Sequence, residues 1–114
     1  MEPQVLISKY QIEPYRGSAE KLRQLAVAFV GAPRSSGTPG RVLLQNDPGG
    51  QQAMFYEFRA SDILYVEEAS SLSLPDGSTA SMVRLWVRKG VKALRMEAFQ
   101  VQDMAEDIRD MFGF

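Results

Sequence analysis

The tripeptide Pro75-Asp76-Gly77 stands between two runs of strand-forming residues, and it narrows what this chain can fold into more than any other feature. Proline presets φ and glycine accepts φ > 0, so the chain reverses tightly there. The run that follows, Ser78 to Lys89, alternates: Val83, Leu85 and Val87 point one way, and Arg84, Trp86 and Arg88 the other. Period two is the signature of a strand with one buried face. Asp47-Pro48-Gly49-Gly50 and Lys89-Gly90 punctuate the chain in the same manner. Short alternating runs joined by tight turns build an antiparallel sheet.

The remaining runs extend this pattern. Val5 to Ile12 alternates roughly and reads as a strand ended by Pro14, Arg16 and Gly17. Arg41 to Gln45 and Ala53 to Arg59 flank the Asp47–Gly50 turn as a hairpin, with Met54, Tyr56 and Phe58 on the core side. Ala60-Ser61-Asp62 is a corner and Ile63 to Glu67 a further strand. Ser70 to Leu74 pairs across the Pro75 turn. Val91 to Val101 returns beside the preceding strand, with Leu94, Met96 and Ala98 buried and a bulge near Ala98 to absorb the phase of Phe99 and Val101.

Two segments have helical spacing. Ser18 is an N-cap, Glu20 lies in the first turn, and Leu22, Leu25, Ala26 and Phe29 recur at i, i+3, i+4 and i+7 until Gly31 and Pro33 stop the helix. Asp103 and Glu106 have capping-box spacing ahead of Met104 to Phe112, which places Met104, Ile108 and Met111 on one side. Ala32 to Gly40 is a loop by composition and lacks the spacing and the following helix of a phosphate loop.

The expected fold is therefore α+β, mostly antiparallel, with about seven strands, one helix after the first strand and a C-terminal helix, in a single domain spanning residues 1–114. Seven antiparallel strands closed by a C-terminal helix resembles the pleckstrin-homology superfold in architecture, a split barrel, although the early helix departs from it. A plain antiparallel sheet with both helices on one face is the competing arrangement. Asp62 to Glu67 followed by a hairpin resembles the opening of a LytTR-type DNA-binding domain. Such domains need basic loops, and residues 62–76 carry Asp62, Glu67, Glu68 and Asp76 with no base, so that reading is set aside.

Composition bounds the chemistry. The chain has neither cysteine nor histidine, which removes thiolate and imidazole metal sites, cysteine nucleophiles and histidine dyads. With 114 residues, 45% of them apolar, it can fold without disulfides or a structural metal. No cofactor or metal site is expected. Thirteen basic against fourteen acidic residues give a net charge of −1, which argues against nucleic acid as a partner. No signal peptide or membrane span is legible, so the expected location is cytoplasmic. Gly77 to Met96 carries five bases and no acid, whereas Glu97 to Phe114 carries five acids and one base.

The candidate binding face is Arg84, Trp86 and Arg88, with Arg95 expected on the same face of the neighbouring strand. Guanidiniums around an indole grip a flat or anionic group, and they also anchor protein interfaces. The structural alternative puts Trp86 under a helix, with the arginine stems laid over it and paired to Glu97 or the C-terminal acids. Glu67 and Glu68 are adjacent, point to opposite faces of a strand, and cannot form one acid–base pair. Asp103, Asp107 and Asp110 share a helix face and read as a solvated surface. The function expected is a non-enzymatic binding or assembly module, acting through a protein partner or self-association. The alternative is a small-molecule-binding barrel or minor enzyme that uses a sheet–helix pocket.

Overall fold

In the computed structural model, which describes residues 2–48, 54–97 and 101, the element order is α1 (Pro3–Tyr10), α2 (Ala19–Leu25), β1 (Ala26–Ser35), β2 (Arg41–Gln45), β3 (Met54–Arg59), a 3-10 turn (Ala60–Asp62), β4 (Ile63–Glu68), β5 (Leu72–Ser73), β6 (Thr79–Ala80), β7 (Val83–Arg88) and β8 (Leu94–Glu97). Six strands form one antiparallel sheet in the order β4-β7-β1-β2-β3-β8, and β5 and β6 form a separate small hairpin. The α+β, mostly antiparallel expectation holds. Among the described residues the sheet is open, with β4 and β8 at its ends, and does not close into the barrel expected from the pleckstrin-homology resemblance.

The N-terminal segment corrects the expected first strand. Val5 and Ile7 are strand formers, but Pro3, Leu6, Ile7 and Tyr10 are the more buried residues, and their spacing is helical. Pro3 sits at the helix start, where its missing N–H costs nothing. Gln11 closes the helix in the left-handed region at φ 54, with an N–H donating to the Ile7 carbonyl. An apolar run this short fits either period, and packing decides between them.

The second correction concerns the helix begun at Ser18. Its hydroxyl accepts from the Lys21 N–H at 3.1 Å, but the helix lasts only to Leu25. From Ala26 the chain is strand, and six consecutive residues, Ala26 to Gly31, pair with β7. Val27, Phe29 and Val30 have strand propensity, and the β7 partner overrides the helical spacing. Ala32 to Ser35, expected in a loop, continue β1 and pair with β2. Pro33 thus lies in the sheet, beyond the point where pairing with β7 ends. A strand tolerates proline where one side of its ladder is open.

β1 is the shared spine of two half-sheets. Directly opposed residues share a face, so the registers define an inner face carrying Phe29, Val42, Leu44, Tyr56, Phe58, Ile63, Val66, Val83, Leu85 and Val87. Leu6 and Ile12 from the N-terminal segment join this core. Phe29 and Phe58 have ring centroids 4.9 Å apart although β2 lies between their strands, so the sheet curls about β1. At Gly31 a side chain would meet the Gln45 carbonyl oxygen at 2.5 Å.

Other expectations resolve one by one. The β2–β3 hairpin, the corner at 60–62, the β4 strand, the Pro75 turn and the inner set Val83, Leu85 and Val87 are all present. Gly77 and Gly90 take φ of 88° and 86° in their turns. The long strand from Ser78 breaks at Ser81 and Met82 into β6 and β7. β8 does not pair with β7, because β4 and β1 already occupy both edges of β7; it pairs with β3 instead. In consequence Leu94 and Met96 are exposed rather than buried, at 52% and 38%. Ala98, the C-terminal helix Met104–Phe112 and the acids Asp103, Asp107 and Asp110 lie outside the described residues. No described helix is long and apolar enough to cross a membrane.

Candidate functional site

The face of β4, β7 and β1 opposite the core carries the candidate site. Register places Tyr65 opposite Trp86 and Glu67 opposite Arg84, with Ala28 on the other side of Trp86. A bulge makes this possible. Ile63 and Val66 both face the core, three residues apart, because Leu64 is an extra residue between the Ile63 and Tyr65 pairings. Such an insertion shifts the phase of the strand. After it, Tyr65 and Glu67 reach the outer face.

One oxygen, Oε1 of Glu67, accepts from Arg84 Nη1 at 3.0 Å and from Trp86 Nε1 at 2.9 Å. These partners hold the Glu67 carboxyl below its ordinary range, chiefly through the indole N–H; burial opposes this, and the guanidinium adds to the lowering through its hydrogen bond and its charge. The residue was not among the sequence candidates. Its separation from Glu68 onto the opposite face was legible, but its pairing with Trp86 depends on the bulge.

The N-terminal segment and α2 turn this face into a groove. The chain crosses from the inner face at Ile12 to the outer face at Tyr15, whose ring lies 6.2 Å from that of Tyr65. Tyr15 is fixed by donating its hydroxyl to the Ser18 carbonyl at 2.8 Å. Gly17 leaves room for the ring, since a Cβ there would collide with it. Leu22 and Arg23 of α2 complete an open groove of about 680 Å³ over Trp86, Glu67 and Arg84.

The four predicted site residues are thus not one cluster. Arg84 and Trp86 are together, half-buried, and joined through Glu67. Arg88 follows on the same face at the exposed end of β7, opposite Ala26. Arg95 is elsewhere: it stands opposite Tyr56 at the far end of the sheet on the inner face, its guanidinium carbon 5.7 Å from the Tyr56 ring centre. Of the two readings of Trp86, the structure takes an intermediate form, with the indole beside α2 but open to a groove, and with its acid partner Glu67 rather than Glu97.

Protonation of Glu67 tests this geometry. A carboxylate with a lowered folded-state pKa stabilises the fold above its unfolded value, and that contribution disappears as pH falls through the folded value. Glu67→Gln is expected to cost about 0.5–1 kcal/mol near neutral pH, a modest figure because part of the side chain remains in water. In urea titrations the gap between wild type and variant should close below the ordinary carboxylate range. Emission from Trp86, the chain's single tryptophan, should change over the same interval.

Comparison of the chain with family models, curated proteins and solved structures finds no match in any of the three.

Proposed function

We propose that this chain is a non-enzymatic binding module that seats an apolar side chain of a partner protein in the groove between α2 and the β4–β7–β1 face. The observation that carries the reading is the shared Glu67 oxygen, which holds Arg84 and Trp86 in fixed positions beside Tyr15 and Tyr65. Fixed aromatic and guanidinium groups lose little freedom on binding, and Trp, Tyr and Arg dominate the energetics of protein interfaces.

The chemistry of the groove favours binding over catalysis. A general base or acid works best with a pKa near the working pH, and Glu67 is shifted away from it. Glu68 faces the other side of β4 and supplies no second carboxyl. The charge of Glu67 is engaged by Arg84, which leaves Arg23 at the rim to favour an acidic partner segment.

Peptides selected from a random display library against the immobilised protein are expected to share an apolar residue beside an acid. The double variant Arg84→Ala, Trp86→Ala should bind them at least about 30-fold more weakly, the effect of losing two anchor residues, with an unchanged circular dichroism spectrum. Equal binding by the double variant, or its unfolding, overturns the proposal.

One observation favours a second reading. The groove volume of about 680 Å³ lies in the range of small-molecule pockets, roughly 300–1,000 Å³, and the groove has the sheet–helix setting with Tyr, Glu and Arg groups that such a site uses. Native mass spectrometry of the untagged protein from its source separates the two. A defined small adduct lost in the double variant replaces the protein partner with a small ligand, and an adduct-free chain leaves the first reading standing.

A further inference from the structure

The two ends of the main sheet are built differently. β4 carries the Leu64 bulge, and the N-terminal segment passes from one of its faces to the other. β8 has a regular ladder to β3, all four of its residues are exposed, and no described strand pairs with its outer edge. An open edge of this kind accepts another strand through its backbone N–H and carbonyl groups.

The side chains of β8 state which strand fits. Arg95 and Glu97 lie on the inner face, opposite Tyr56 and Met54, while Leu94 and Met96 lie on the outer face, opposite Glu57 and Phe55. Charges on an edge strand ordinarily prevent pairing. Here they have opposite sign and are two residues apart, so of the four symmetric registers centred on a β8 residue they disfavour two and favour one. When two copies of β8 pair antiparallel about a two-fold axis that preserves the faces, the register is centred on a residue. Centring on Arg95 or Glu97 sets like charges opposite each other, which is unfavourable. Centring on Leu94 leaves Arg95 opposite Ala93. Centring on Met96 sets Arg95 opposite Glu97 of the second copy, and by symmetry does so twice. It also brings the two Met96 side chains together beside Phe55 on the outer face.

We infer that the β8 edge is a self-association surface, and that its occupant is the β8 edge of a second copy of this chain, paired antiparallel in the register centred on Met96. The result is one continuous sheet running through both copies, with the Trp86 grooves far from the seam.

The absence of cysteine from the chain makes the register directly testable. Directly opposed residues of antiparallel strands have Cα atoms about 4.5–5.5 Å apart, within the span a disulfide bridges. The variant Met96→Cys should oxidise to a covalent two-chain species. Leu94→Cys should not, because the two copies of position 94 are then four residues out of register, beyond the limit of about 7 Å. In a dilution series followed by sedimentation velocity, Arg95→Glu should weaken the wild-type dimer at least about tenfold through two like-charge contacts. The double variant Arg95→Glu, Glu97→Arg should restore it. Both positions are exposed, so circular dichroism should remain unchanged throughout. A wild-type chain that is monomeric at every concentration overturns the inference, as does crosslinking of Leu94→Cys to the same extent as Met96→Cys, or a dimer indifferent to the charge reversal. Peptide binding at Trp86 is read separately and stands or falls on its own variants.

Discussion

Phe58→Ala is expected to remove about 3–5 kcal/mol of stability, the usual cost of deleting a fully buried aromatic ring. Phe58 is 1% exposed and lies opposite Val42 across the β2–β3 ladder. Its ring meets Phe29 at 4.9 Å and Tyr56 at 6.1 Å between centres. Phe29 belongs to the part of β1 that pairs with β7, whereas Phe58 and Tyr56 belong to β3. The ring thus joins the two halves of the curled sheet, and truncation opens a cavity that neither half can fill without uncurling. A domain of ordinary stability, about 5–15 kcal/mol, loses a large share of it. Urea unfolding followed at Trp86 measures the loss. A cost below about 1 kcal/mol would mean that the two halves do not depend on this contact.

The second large effect is expected at Gly31. A Cβ there would lie 2.5 Å from the Gln45 carbonyl oxygen and 2.8 Å from the Leu44 side chain. The nearer atom belongs to the backbone of the adjoining strand, so a rotamer change cannot relieve the clash. Gly31→Ala is expected to cost about 1–3 kcal/mol, and Gly31→Val to reach or exceed the top of that range. The glycine is needed for close approach at the bend of β1, where pairing passes from β7 to β2. Thermal unfolding of the two variants, ordered wild type, alanine, valine, checks the account. A valine variant as stable as wild type would refute it.

What could be read from the chain divides along a physical line. The turn at Pro75-Asp76-Gly77, the β2–β3 hairpin and the corner before β4 follow from turn chemistry among adjacent residues, and each was legible. The buried set Val83, Leu85 and Val87 was legible because strict alternation admits one period only. The first helix was not, because Val5 and Ile7 have strand propensity and the run is too short for its period to discriminate. The helix from Ser18 was legible at its cap and misjudged at its end. Leu22, Ala26 and Phe29 have helical spacing, but Ala26 and Phe29 serve a strand once β7 is alongside.

The candidate site shows the same division. Arg84, Trp86 and Arg88 were placed on one face of one strand by local alternation, and they lie there. Glu67, which fixes two of them, was missed, because its phase depends on an extra residue at Leu64 that only the pairing with β7 reveals. Arg95 was assigned to the neighbouring strand because Lys89-Gly90 reverses the chain. A turn sets a change of direction and does not choose a partner.

Taken alone, the sequence determined where the chain reverses, which face of β7 is buried, where α2 begins, and that these 114 residues supply no thiol or imidazole side chain. These depend on residue identity or on residues close along the chain. The tertiary structure decided that Ala26 to Ser35 is strand, that β8 joins β3, and that Trp86 shares a carboxylate with Arg84. Those outcomes depend on which ladder edges remain open once other strands have paired. Both edges of β7 are taken by β4 and β1, so the chain after Gly90 adds to the edge of β3 at the far end of the sheet.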